Sequence, residues 1–198
     1  LVYVASTIAA VIIDGDLRGT FRWRKMERKL SEMTGHYIVC GAGSTGSRVV
    51  EELVLTHCPF VVIEQDMDRV EHLQEELDCA FMHVDGDATE DAVLQHAGIE
   101  RAKGVVCTLS NDKDNLFVTL SARGLNPGAR IVARAIAQEA ASKIRRAGAD
   151  SVVSPNAIGG VRIASELLRP TAVAFIDHLM RNPEAALRVH AVAVGADA

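Results

Sequence analysis

The sequence has few of the residues that define disulfide-rich or zinc-binding proteins. Its 198 residues include only four cysteines, at positions 40, 58, 79 and 107, and no two of them have the C-x-x-C spacing. Cys40 and Cys107 fall in apolar runs of strand character. This pattern argues against a zinc site and against a disulfide framework. It favours reduced, mostly buried thiols in a cytoplasmic domain.

Three further absences narrow the possible functions. There is no excess of basic residues, since 21 Lys and Arg stand against 26 Asp and Glu, whereas a general nucleic-acid binder is expected to be basic. No lysine follows the glycine-rich segment as it does in Walker-type ATPases, and none of the seven histidines has another histidine four positions later. No segment has the pattern of a signal peptide.

The chain begins with an uncharged apolar run that is too short to cross a membrane alone. Residues 1–13 carry no charge, whereas a membrane-spanning helix needs about 20 apolar residues. The run is either a buried element of the domain or the end of a transmembrane helix that starts before residue 1. The segment after it surrounds Trp23 with basic residues, which suits a cytoplasmic membrane boundary or a solvated amphipathic helix. These basic residues are Arg18, Arg22, Arg24, Lys25, Arg28 and Lys29.

From residue 37 onward, short apolar segments alternate with helical patterns. Strands that are apolar throughout, each followed by a helix, predict a parallel sheet covered on both faces. The predicted fold is therefore α/β, a Rossmann-like, doubly wound, parallel six-stranded sheet with further helices at its C-terminal end. The predicted strands are 37–40, 59–64, 80–84, 104–109, 130–134 and 151–154. The predicted helices are 44–56, 67–77, 90–97, 112–123, 138–147, 158–168 and 170–180.

A glycine-rich turn joins the first predicted strand to the first helix. In a G-x-G-x-x-G turn, the first glycine permits the bend, the second lets a pyrophosphate approach the backbone, and the third lets the helix pack on the strand. The free N–H groups of the helix then face the phosphates. Glycine-rich turns also occur where a helix only packs against a strand. The nucleotide interpretation therefore depends on polar residues at the ends of the neighbouring strands. The turn consists of Gly41, Ala42, Gly43, Ser44, Thr45 and Gly46.

Polar residues at the ends of the other strands complete a predicted nucleotide crevice. Glu64 ends the second strand 23 positions after Gly41, where a carboxylate accepts hydrogen bonds from ribose hydroxyls and repels a 2′-phosphate. NAD or an adenosine nucleotide is therefore favoured over NADP. The remaining candidates are Gln65, Asp87, Ala88, Ser110 and Arg134. Asp87 could also cap the helix predicted near Thr89, Ser110 could only shape a turn, and Arg134 could pair with a carboxylate instead of a phosphate.

The sequence offers no catalytic residues for the predicted cofactor. A nicotinamide dehydrogenase needs a substrate domain with a proton donor, but only about 45 residues follow the sixth strand, and these are helical in pattern. The last predicted helix carries an apolar face that either caps the sheet edge or contacts a partner subunit, and we favour the partner. The candidate contact residues are Phe175, Ile176, Leu179 and Met180.

These motifs together resemble one known family. From residue 36 to about 181 the chain is similar to RCK/KTN domains, the cytosolic regulators of K+ conductance in potassium channels and Trk/Ktr-type transport systems. The similar segments are 36–53, which includes the glycine turn, 61–66 (Val-Val-Ile-Glu-Gln-Asp), 86–89 (Gly-Asp-Ala-Thr), 147–150 (Ala-Gly-Ala-Asp) and 154–170. Residues 1–13 also look like the lower end of a channel's pore-lining helix.

The resemblance implies a nucleotide-sensing domain that moves without performing chemistry. It implies the end of a transmembrane helix (1–13), a basic linker (14–35), a nucleotide-binding Rossmann lobe (36–155), a helical dimerisation segment (156–185) and the start of a second lobe (186–198). Its ligand would be NAD(H) or an adenine nucleotide (AMP, ADP or ATP). Homodimers would assemble into a tetrameric or octameric gating ring, attached to the pore of a potassium channel at the cytoplasmic face of the membrane.

One departure from the family pattern concerns calcium. Some channel members bind regulatory Ca2+ with carboxylates after the fourth strand and in an Ala-x-Ala-x segment after the fifth, where this chain has Arg134 and Ile136 in place of the acids. The resemblance therefore implies no Ca2+ at that site. Two alternatives to a channel gating domain stay open from the sequence: a peripheral Trk/Ktr-type uptake subunit and an NAD-dependent oxidoreductase.

Overall fold

A sheet of six parallel strands forms the centre of the described chain. The computed structural model describes residues 28–181, and the side chains of residues 28–178. The strands lie in the order β3-β2-β1-β4-β5-β6. Their bounds are β1 Tyr37–Cys40, β2 Phe60–Glu64, β3 Met82–Asp85, β4 Gly104–Cys107, β5 Arg130–Arg134 and β6 Ser151–Val153. Strands β2 and β3 are added on one side of β1, and β4, β5 and β6 on the other. This reversal of strand order between β1 and β4 confirms the predicted Rossmann-like fold.

Seven helices follow the strands of the described chain. They are α1 Ser44–Leu55, α2 Met67–Glu76, α3 Asp91–His96, α4 Asp112–Leu125, α5 Gln138–Arg146, α6 Pro155–Leu168 and α7 Pro170–Arg181. A short helical stretch at 28–32 precedes β1, and a 3-10 turn covers Ile99–Arg101. No helix in the described range is both long enough and apolar enough to span a bilayer.

The alternation of side chains along β1 builds two cores, one on each face of the sheet. Ile38 and Cys40 point to the face covered by α3, α4 and α5, where they pack with Leu94. Val39 points to the opposite face, where α1 contributes Val50. A strand buried on both faces has no polar side, which is why β1 and its neighbours appear in the sequence as continuous apolar runs.

Several predicted bounds were wrong by two or three residues. Strand β3 begins at Met82 instead of residue 80, and β4 ends at Cys107 instead of residue 109. Helix α6 begins at Pro155 instead of residue 158. A proline suits the first turn of a helix because the amide hydrogen that it lacks has no partner there in any case.

The chain divides into two compact units between Pro155 and Asn156. In the second unit, Arg162 of α6 forms ion pairs with Glu166 and with Asp177 of α7. Hydrogen bonding to Asp177 is the main cause that raises the pKa of Arg162 above its ordinary value. The predicted membrane segment (1–13), most of the linker (14–27), the predicted second-lobe start (186–198) and the side chains of Leu179 and Met180 lie outside the described residues.

Candidate functional site

The turn between β1 and α1 contains two glycines, Gly41 and Gly46, whose geometry other residues could not reproduce. Gly41 has φ +95°, a conformation that side chains disfavour. A Cβ atom on Gly46 would lie 1.8 Å from the carbonyl oxygen of Gly41, so only glycine lets α1 approach the strand this closely. A Cβ atom on Gly43 would meet nothing within 4 Å. Gly43 therefore has open space beside it, as is expected for the second glycine of a phosphate-binding turn.

A threonine from β4 fixes the start of this turn. The Thr108 hydroxyl lies 3.0 Å from the carbonyl oxygens of both Cys40 and Gly41, and the side chain is buried. Thr108 follows β4 directly, and β4 is the neighbour of β1 at the point where the strand order reverses. Sequence reasoning missed this residue, which it assigned to the strand. Its position next to the topological switch is the signal that could have identified it.

Glu64 reaches from the end of β2 to the glycine turn. Its Oε2 accepts a hydrogen bond from the backbone N–H of Ala42 at 2.6 Å. Its Oε1 accepts from the backbone N–H groups of Gln65 and Asp66, and Arg69 lies 3.9 Å away. The side chain is only 10% exposed. The structure therefore brings the predicted acid and the predicted glycine turn into direct contact.

Asp87 organises the segment that follows β3. Its Oδ1 accepts hydrogen bonds from the backbone N–H and the hydroxyl of Thr89, at 2.8 and 2.7 Å. These bonds, with a smaller one from the side chain of Gln65, hold the pKa of Asp87 below its ordinary value of 3.8. The predicted capping role was wrong, because α3 begins at Asp91 and its N-cap residue is Glu90. Asp87 instead closes a turn ahead of that helix.

The lowered pKa of Asp87 gives a pH prediction. Because the folded pKa lies below the unfolded one, the ionised carboxylate stabilises the fold above the unfolded value, and this contribution is lost as pH falls through the folded value. Asp87→Asn keeps an oxygen that accepts from Thr89 but does not titrate. We expect the wild type to lose its stability advantage over this variant on acidification. Denaturant unfolding of both proteins between pH 6 and about 3 measures it; parallel pH profiles would contradict the assignment.

Arg134 extends from the end of β5 toward the same turn. Its Nη1 lies 3.2 Å from the hydroxyl of Thr45, in the first turn of α1. The guanidinium is thus placed at the N-terminal end of the helix, where anions are favoured by the free N–H groups. Of the other predicted residues, Ser110 is exposed beside the crevice, whereas Ala42 and Ala88 are buried.

A second residue that sequence reasoning missed joins the ends of β4 and β5. Asn115 is fully buried in α4. Its Oδ1 accepts from the N–H of Leu109, and its Nδ2 donates to the carbonyl oxygens of Leu109 and Arg134. These three bonds fix the backbone that carries Ser110 and Arg134. A polar residue one turn into a helix, on the apolar face, was the available signal.

The fold and the turn correspond to a known domain family. Residues 37–155 match the TrkA-N domain. The chain belongs to the TrkA-N family. In the described residues, no group of three or more His, Cys, Asp or Glu side chains is arranged to hold a metal ion.

Relatives of this TrkA-N chain include channel proteins. Potassium channel protein 1 of Methanocaldococcus jannaschii is 40% identical over 182 residues, which cover 92% of this chain and 54% of the relative. The chain thus spans about half the length of the curated relatives that it matches first.

Solved structures share the fold. The TrkA-N domain of the inner membrane protein ybaL from Escherichia coli is 32% identical, with a TM-score of 0.63 over 70% of this chain and 99% of that chain. The GsuK channel bound to NAD is 28% identical, with a TM-score of 0.55 over 62% of this chain and 22% of that chain. GsuK bound to ADP is 27% identical, with the same TM-score over 62% of this chain and 32% of that chain.

Proposed function

We propose that this TrkA-N domain binds NAD(H) or an adenine nucleotide at the carboxyl edge of β1, β2 and β4. The observation that carries the proposal is the contact between Glu64 and the backbone N–H of Ala42, because it joins the ribose-binding acid to the phosphate-binding turn. The NAD and ADP complexes of GsuK, a channel with the same fold, support this choice of ligand.

Each part of the nucleotide is proposed to contact residues at the end of a different strand. The open backbone at Gly43 and the N–H groups of Ser44 and Thr45 bind phosphate, with the guanidinium of Arg134 on the other side. Glu64 binds the ribose hydroxyls, while Gln65 and Asp87 lie at the adenosine edge. The remaining proposed lining residues are Gly41, Ala42, Gly46, Ala88 and Ser110.

We infer that the domain senses its ligand for a potassium channel and performs no chemistry of its own. In the scheme we propose, a pore-lining helix ends in residues 1–13, and a linker (14–35) joins it to the nucleotide-binding lobe (36–155). A dimerisation segment (156–185) and the start of a second lobe (186–198) follow. All of these parts after the helix lie at the cytoplasmic face of the membrane. Similarity to a potassium channel over 92% of the chain supports this scheme. Ligand binding would act on the pore only if the ligand prefers one state of the assembly.

The exposed apolar side chains of the second unit support dimerisation. Phe175 and Ile176 of α7 are 62% and 53% exposed, and α6 exposes Leu167 and Leu168. We expect the wild-type chain to sediment as a dimer or a larger assembly, and Phe175→Asp to weaken that association at least tenfold, since a charge would be buried without a partner. Sedimentation velocity over a concentration series tests this. A wild type that stays monomeric at all concentrations would exclude the interface.

Calorimetry tests the nucleotide proposal directly. NAD, AMP, ADP and ATP are titrated into the wild type, Glu64→Ala and the control Glu71→Ala, which removes an exposed glutamate of α2. We expect at least one nucleotide to bind the wild type and Glu71→Ala, and Glu64→Ala to weaken its binding tenfold or more, because each hydrogen bond to a charged group contributes about 1.5–3 kcal/mol.

Two results would overturn this proposal. If no nucleotide binds the wild type more tightly than about 1 mM, the crevice is not a nucleotide site. If the protein consumes NADH with a panel of carbonyl substrates, the domain is an oxidoreductase and not a sensor.

A further inference from the structure

The two αβ corners, from α1 to β2 and from α2 to β3, repeat each other at an offset of 21 residues. Helix α1 is followed by His57 in a left-handed conformation, with φ 53°, and then by Cys58. Helix α2 is followed by Asp78, with φ 45°, and then by Cys79. Left-handed residues other than glycine are uncommon, so the shared conformation indicates that both corners have the same backbone path.

Hydrogen bonds at the two corners correspond one to one. The N–H of Cys58 bonds to the carbonyl oxygen of Leu53 at 3.0 Å, and the N–H of Cys79 bonds to that of Gln74 at 3.1 Å. The preceding residues bond in the same way, His57 to Val54 and Asp78 to Glu75. Cys58 and Cys79 therefore occupy equivalent positions, two residues before equivalent phenylalanines.

The register of β2 and β3 places the starts of the two strands, which follow these cysteines, side by side. Val61 pairs with Met82, at the same offset of 21. One position earlier the rings of Phe60 and Phe81 are in contact, with centroids 5.4 Å apart. Paired strands lie about 4.8 Å apart, and Cys58 and Cys79 each lie three residues before the first pair, Val61 and Met82. A disulfide requires about 4.4–6.8 Å between its Cα atoms.

The two thiols also differ from the other cysteines in accessibility. Cys58 and Cys79 are partly exposed, whereas Cys40 and Cys107 are buried. Burial raises the pKa of Cys107 to about 12 and that of Cys40 well above its ordinary value, which keeps both as unreactive thiols. The expectation of mostly buried thiols thus holds for one pair and not for the other.

We propose that Cys58 and Cys79 form a reversible disulfide within the chain. The thiolate of one cysteine attacks a low-molecular-weight disulfide and releases one thiol, and the thiolate of the second then attacks the mixed disulfide and releases the other. The protein loses two protons and two electrons, and the small disulfide takes them up as two thiols. Disulfides in reducing compartments are usually transient or redox-sensing, and such a role requires thiols that are at least partly exposed, as these two are. The closed loop contains β2 and therefore Glu64.

Mass spectrometry of the full chain treated with oxidised glutathione tests this proposal. We expect the wild type to lose two hydrogen atoms without gaining glutathione, and digestion to yield one peptide that links Cys58 to Cys79. Reduction should restore both thiols. The single variants Cys58→Ser and Cys79→Ser cannot close the bridge, so each should keep one glutathione on its remaining cysteine. Cys40 and Cys107 serve as internal controls, since they should react only after unfolding.

Three results would overturn the disulfide. A wild type that carries glutathione on both cysteines would show that the thiols react but do not meet. A wild type that stays unmodified, while the same cysteines react after unfolding, would show that they are inaccessible. A dimer on a non-reducing gel that is absent from Cys58→Ser would show that the bridge joins two chains.

Discussion

Replacing Gly46 with alanine is expected to abolish nucleotide binding and to lower the free energy of unfolding by about 3 kcal/mol. The added Cβ would lie 1.8 Å from the carbonyl oxygen of Gly41 and 2.9 Å from the hydroxyl of Thr108. The first of these neighbours is backbone, so no side-chain rotation relieves the overlap. Helix α1 would have to move away from β1, and the glycine turn with it. Denaturant unfolding and calorimetry with nucleotides measure the two effects.

Gly43→Ala is the matched control for this substitution. Gly43 has φ −67° and open space around its Cα atom, so alanine fits the folded chain and should change the free energy of unfolding by no more than about 1 kcal/mol. Its methyl group would nevertheless occupy the side from which a phosphate approaches. We therefore expect Gly43→Ala to fold normally and bind nucleotide weakly. If Gly43→Ala bound as well as the wild type, the phosphate would not lie against this glycine.

Asn115→Ala is expected to lower the free energy of unfolding by about 3 kcal/mol, because it leaves buried backbone groups without partners. The groups affected are the N–H and carbonyl of Leu109 and the carbonyl of Arg134. The loss should also disorder the segment that carries Arg134 and weaken nucleotide binding. Denaturant unfolding and calorimetry on the variant measure both.

A second asparagine of the same segment provides the comparison. Asn111 is the exposed N-cap of α4 and accepts one hydrogen bond from the N–H of Asp114. Its replacement by alanine should cost only about 1 kcal/mol. If Asn111→Ala and Asn115→Ala destabilise the protein equally, the buried bonds of Asn115 are not what joins β4 and β5.

The sequence predicted the sheet well where both ends of a strand carry clear signals. Strands β1 and β5 have the predicted bounds, because each is an apolar or alternating run that stops at a glycine or a charge. The start of β3 was wrong because Ala80 and Phe81 are apolar without being paired to β2 in the ladder. The turn at Asp78 and the bond from Gln74 to the carbonyl of Phe81 shape that entry, and neither has a periodic signature.

The candidate site shows the same division between local and distant signals. The glycines and Glu64 were predictable because their roles depend on a fixed spacing along the chain. Thr108 was not, since its hydroxyl bonds to Cys40, 68 positions earlier, and no local pattern records such a contact. Asn115 was missed for the same reason, because its bond to Arg134 joins two elements that the sequence separates. The ligand roles of the predicted residues stay predictions.

The strand order also has a consequence for how the chain reaches this structure. Among the described strands, β1 and β4 pair residues that are far apart in sequence, as Tyr37 and Gly104 do, whereas the other pairs join consecutive strands. Closing a long loop costs more chain entropy than closing a short one, and such contacts slow folding. A nucleotide held between Glu64 and Arg134 would lie across that one long-range pairing. Its binding would therefore stabilise the contact between two halves that each form from neighbouring strands, β1 to β3 and β4 to β6.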